Sequence, residues 1–87
     1  MYRVMIIDDE KALRNLLKAS IDWQEMGLEV VGEAASGIEA INIIDKLRPD
    51  IIFVDIRMPF MDGIEFSKMA LKRYRQMKVI ILAAFDE

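Results

Sequence analysis

Short apolar runs alternate along this chain with segments of helical periodicity, and that alternation restricts the possible folds more than any other feature. Residues 3–7 form a β-branched and apolar run that ends in Asp8 and Asp9, the signature of a buried parallel strand. Leu13, Leu16, Leu17 and Ile21 then recur at helical spacing and predict a helix over 11–21. Residues 22–27 are a connector closed by Gly27, and 29–34 read as a second strand. Ser36, with Glu39 three residues on, forms a capping box. The helix it opens places Ala40, Ile41, Ile44 and Leu47 on one face and stops before Pro49. Ile51, Ile52, Phe53 and Val54 are a third strand, apolar on both faces, and 56–61 are a loop containing Pro59. Asp62 caps a third helix, with Glu65 at its third position and Phe66, Met69 and Ala70 on its core face. Residues 79–82 are a fourth strand. Strands alternating with helices predict an α/β fold, a parallel sheet with helices on its faces. In such sheets, ligands bind at the carboxyl ends of the strands, where the strand order reverses.

Composition excludes several classes of function. At 87 residues the chain is one small domain, and 54% apolar with 31% charged residues is a globular rather than a disordered balance. A net charge of −3 with no long basic run argues against direct nucleic-acid binding. With no cysteine and no histidine, the chain has no disulfide, no zinc site of the usual kind and no imidazole base. The apolar runs at 4–7 and 79–82 are too short to span a bilayer, and no signal peptide opens the chain. A soluble, cytoplasmic protein is the expectation.

The chemistry concentrates in carboxylates. Asp8 and Asp9 follow the first strand, and Asp55 follows the apolar core of the third. If those strands are neighbours, the three groups converge at the carboxyl edge of the sheet. Two unit charges about 4 Å apart repel by roughly 4 kcal/mol at an effective dielectric near 20, so a proton or a cation must offset them. Ligands that are all oxygen favour a hard cation, and Mg²⁺ suits a site with few carboxylates. A carboxylate beside Mg²⁺ can attack phosphorus to give an acyl phosphate. The pattern leaves a second reading open, because an Asp after a strand is often simply a helix N-cap. Glu10 fits either a ligand or a first-turn acid that stabilises the helix dipole. Met58 and Met61, beside Pro59, fit loop packing or a partner surface.

These residues resemble the receiver domain of two-component response regulators. The resemblance is carried by Val4-Met5-Ile6-Ile7-Asp8-Asp9-Glu10, by Pro49-Asp50-Ile51-Ile52-Phe53-Val54-Asp55-Ile56-Arg57-Met58-Pro59, and by Met61-Asp62-Gly63. It covers the whole chain, and order, spacing and flanking strands all match. Ile21-Asp22-Trp23 and Val30-Val31-Gly32-Glu33-Ala34 look closest to receivers fused to AraC-type DNA-binding domains. The resemblance implies that Asp55 accepts a phosphoryl group from a histidine kinase. It implies that Asp9 ligates Mg²⁺ directly, that Asp8 holds it directly or through water, and that the backbone carbonyl of Arg57 is a further ligand. The implied fold is flavodoxin-like, with strand order 2-1-3-4 here and 2-1-3-4-5 in a complete domain. The implied function is a phosphoacceptor signalling module rather than an enzyme, in a parent protein that controls transcription.

Two departures from the family pattern qualify these implications. After the fourth strand the family usually carries Ser or Thr, whose hydroxyl contacts the phosphoryl group; that position here is Ala83, followed by Ala84. The family domain also continues through a fourth helix, a fifth strand with its Lys, and a fifth helix, so residues 1–87 read as a partial receiver domain. On that reading the fourth strand is an apolar sheet edge, and the chain is expected to self-associate through it. The departures favour an alternative, a pseudo-receiver that serves as an interaction or dimerisation module without phosphorylation. A Mg²⁺-dependent phosphohydrolase fits less well, because Arg57 stands two residues after Asp55 where an Asp-x-Asp arrangement needs a second acid.

Overall fold

The computed structural model describes residues 1–57 and 62–82. Their elements run β1 (Tyr2–Ile7), α1 (Lys11–Ser20), β2 (Leu28–Ala34), α2 (Gly37–Leu47), β3 (Ile51–Asp55), α3 (Gly63–Arg73) and β4 (Lys78–Leu82). All strand pairs are parallel, and the sheet order is β2-β1-β3-β4. This is the predicted α/β arrangement in the predicted order. Met58, Pro59, Met61, Ala83 and Ala84 lie outside the described residues.

Alternation along the central strand splits the core in two. Met5 and Ile7 of β1 face one way, with Ile52 and Val54 of β3, Ala40 and Ile44 of α2, and Phe66 and Ala70 of α3. Val4 and Ile6 face the other way, where Leu17 of α1, Trp23, Ile51 and Phe53 pack against them. The Trp23 ring meets Phe53 edge-on at 5.4 Å, and its indole N–H donates to the Lys18 carbonyl. Among the described residues, two helices therefore cover the first face and a single helix covers the second.

That asymmetry leaves α1 only partly covered. Leu13, Leu16, Leu17 and Ile21 predicted the helix by their spacing, yet α1 contributes no fully buried residue. Leu16 is 61% exposed and Leu13 39%, because no second described helix closes over β3 and β4 on this side. The helix also ends at Ser20 rather than at residue 21. In α3, Phe66 and Ala70 are buried as expected, but Met69 is 40% exposed and Ser67 is buried in its stead. Helical phase explains the exchange, since Gly63, Phe66, Ser67 and Ala70 form one i, i+3, i+4, i+7 stripe.

Candidate functional site

The carboxyl edge of β1 and β3 gathers the acidic groups. Ile7 pairs with Val54, so Asp8 and Asp55 leave the ladder side by side. Alternation along β3 puts Asp55 on the Ile51 and Phe53 side, the side on which α1 lies. Asp8, Asp9 and Asp55 each offer a carboxylate oxygen, and these oxygens lie within 4.8 Å of one another. Asp8 is buried, Asp55 half-buried and Asp9 exposed.

Asp8 is held at its N–H, its carbonyl and one carboxylate oxygen. Its N–H donates to the Ala34 carbonyl at 3.0 Å, and its carboxylate accepts the Glu10 N–H at 2.9 Å. Its carbonyl accepts from the Arg14 guanidinium at 2.6 Å. Burial pushes the Asp8 carboxyl above its ordinary value of 3.8; the Glu10 N–H pulls it down in part, and the neighbouring Asp55 and Asp9 charges add to the rise. The simple cap reading of this pair fails, because the N-cap of α1 is Glu10, with no side-chain cap bond. Asp8 instead turns its carboxylate back onto its own loop.

The second wall is built from the ends of β3 and β4, with the start of α3 packed against the backbone behind it. The Arg57 N–H donates to Asp55 Oδ1 at 3.2 Å, and the Ile56 N–H donates to the Leu82 carbonyl at 3.0 Å. Gly63 N–H donates to the Ile56 carbonyl at 3.0 Å. A Cβ at residue 63 would stand 2.1 Å from the Asp55 carbonyl oxygen, so only glycine lets α3 approach this closely. Between these walls runs a cleft of about 480 Å³, acidic at Asp8, Asp9, Glu10 and Asp55 and apolar at Ile6, Leu13, Leu17 and Leu82. Arg57 also lines it.

The donor set fits a hard divalent cation. Octahedral Mg²⁺ about 2.1 Å from each ligand holds its ligand atoms roughly 3 to 4.2 Å apart. The observed spread, within 4.8 Å, is of the same order. All three expected carboxylate ligands are thus brought together.

Sequence reasoning missed the basic clamp beside the cluster. Arg14 reaches from α1 to Glu33 Oε1 at 2.8 Å while bonding the Asp8 carbonyl, and Lys18 pairs with Glu33 Oε2. These two partners, Arg14 first, hold the Glu33 carboxyl below its ordinary 4.5. The available signal was Glu33 itself, an acid inside a β-strand, which has to find a partner.

The sequence matches the model of one family, the response regulator receiver domain, over residues 4–87. It is 42% identical over 83 residues to a protein-glutamate methylesterase/protein-glutamine glutaminase of Hahella chejuensis, covering 95% of this chain and 23% of that protein. It is 41% identical over 87 residues to the transcriptional regulatory protein BtsR of Salmonella typhi, covering 100% of this chain and 36% of that one. The fold is similar to the crystal structure of a two component transcriptional regulator AraC from Clostridium phytofermentans ISDg, with TM-score 0.91, 38% identity, and coverage of 99% of this chain and 67% of that one. The chain thus spans well under half the length of these two curated relatives.

Proposed function

Since the chain belongs to the response regulator receiver domain family, we propose that it is a phosphoacceptor module in which Asp55 takes a phosphoryl group from a histidine kinase. The observation that carries this reading is the convergence of the Asp8, Asp9 and Asp55 carboxylates within 4.8 Å at the carboxyl edge of the sheet. A site for structural ion pairing would set a cation between the acids; here Arg14 bonds the Asp8 carbonyl and Glu33 instead. Asp8, Asp9 and Asp55 would hold Mg²⁺, with the Arg57 carbonyl as a further ligand. Bound there, Mg²⁺ would neutralise charge on the transferring phosphoryl oxygens.

The remaining chemistry belongs to the chain. A carboxylate oxygen of Asp55 forms a bond to phosphorus while the bond from phosphorus to the donor's histidine nitrogen breaks. That nitrogen keeps the electron pair, and Asp55 becomes an acyl phosphate. The Arg57 N–H on Asp55 Oδ1 fixes the carboxylate plane and leaves the other oxygen for attack. Asp8, held by its own N–H, carbonyl and carboxylate, supplies a rigid floor.

The relatives differ in output, one named as a methylesterase and one as a transcriptional regulator. The similarity to BtsR and to the AraC-type regulator supports a parent protein that controls transcription in the cytoplasm. Among the described residues no helix is long and apolar enough to cross a membrane.

Acetyl phosphate with Mg²⁺ tests the reading, with intact mass as the readout. The chain should gain one phosphoryl group, and Asp55→Asn should gain none. A chain that stays unmodified under conditions that load another receiver domain would reject it. That result would favour the pseudo-receiver alternative, which Ala83, in place of the family's usual hydroxyl residue, already supports.

A further inference from the structure

The guanidinium of Arg14 makes a bridge that the phosphoacceptor chemistry does not itself require. One nitrogen, Nε, donates to Glu33 Oε1 at 2.8 Å; another, Nη1, donates to the Asp8 carbonyl at 2.6 Å. The side chain is only 11% exposed, so both bonds form out of reach of most water. Glu33 is itself anchored from its other oxygen by Lys18. The Asp8 carbonyl belongs to the peptide plane shared with Asp9. Fixing that plane fixes the direction in which the chain presents both carboxylates.

We propose that Arg14 is a positioning residue for the acidic cluster: it ties the Asp8–Asp9 peptide to the end of β2 and so presets where the two carboxylates meet Asp55. The inference rests on the reading of the cluster as a cation site. Its geometry needs a planar fork, which an ammonium lacks. Outer partners that orient metal ligands typically change metal affinity 10–100-fold when removed.

The sign of the effect separates positioning from simple electrostatics. Arg14 is a cation beside a site for a cation. By charge alone, its removal should tighten Mg²⁺ binding. As a positioning residue, its removal should weaken it.

The test titrates the full chain with Mg²⁺ alone by calorimetry and follows amide exchange at Glu10, whose N–H is held by Asp8 Oδ1. Arg14→Met should bind Mg²⁺ about tenfold more weakly and exchange the Glu10 amide faster. Arg14→Lys should also bind more weakly although the charge is kept, and it decides the matter if Arg14→Met does not fold. Lys18→Met removes a cation from Glu33 without touching the Asp8 carbonyl and should stay within about twofold of the parent. Unchanged or tighter binding in both Arg14 variants overturns the proposal. If the parent chain itself takes up no Mg²⁺, the cation-site reading fails separately. Glu10 exchange in the metal-free protein then decides on the clamp alone, and exchange unaltered by Arg14→Met overturns it.

Discussion

Asp8 and Glu33 respond to pH in opposite senses because one is buried among like charges and the other is held by cations. The folded-state Asp8 carboxyl lies above its ordinary 3.8, so folding favours its protonated form. Its contribution is fully present below that value and is lost as pH rises through the raised one. Glu33 lies below its ordinary 4.5, so its contribution is present above that value and is lost as pH falls through the lowered one. Asp8→Asn should therefore raise the urea midpoint at pH 7 and change it little at pH 3, while removing Mg²⁺-dependent stabilisation. Glu33→Gln should lower stability by about 0.5–1 kcal/mol at neutral pH, with the loss shrinking in acid. Midpoints measured at both pH values check both signs. An Asp8→Asn variant less stable than the parent at pH 7 without Mg²⁺ would contradict the burial argument.

Helix starts are where local sequence and local structure agree best. The Ser36 hydroxyl accepts the Glu39 N–H at 3.1 Å, and Asp62 Oδ1 accepts the Glu65 N–H at 2.7 Å. Both caps were legible because the acceptor and the N–H it satisfies lie three residues apart in the chain. Ser36→Ala or Asp62→Ala should each cost about 1 kcal/mol, read from thermal or urea unfolding. The start of α3 carries a further constraint that no local pattern announces. Gly63→Ala would drive a methyl group into the Asp55 carbonyl, and the clash is with backbone rather than a side chain that can swing away. The expected cost is about 2–3 kcal/mol, with the Asp55 and Arg57 amide shifts displaced. A Gly63→Ala protein as stable as the parent would show that α3 can retreat without loss.

Across the whole molecule, the sheet is unevenly covered. On the α1 side, Leu13 and Leu16 of that helix stand exposed in the cleft, and Ile80 of β4, the partner of Phe53, is exposed on the same face. Ile80 is 44% and Ile81 39% exposed on a strand that pairs on one side only among the described residues. An apolar strand with an open edge is a template for a second chain. The 87-residue chain should therefore self-associate with rising concentration in light scattering, and Ile80→Lys should shift it toward monomer. A parent that stays monomeric at high concentration would remove the idea. The sequence by itself determined the order of elements, all three helix starts and the three acids at the strand ends. Each of these depends on spacing within a few residues or on strand polarity. Only the tertiary structure decided that α1 keeps half its apolar stripe in the open, that Met69 yields to Ser67, and that Arg14 joins Asp8 to Glu33. Those outcomes depend on which surfaces meet: α1 beside the open face of β3 and β4, α3 against β3 and β4, and α1 against β2. Contacts between residues 19 or more positions apart, such as Arg14 with Glu33, leave no periodic trace in the chain.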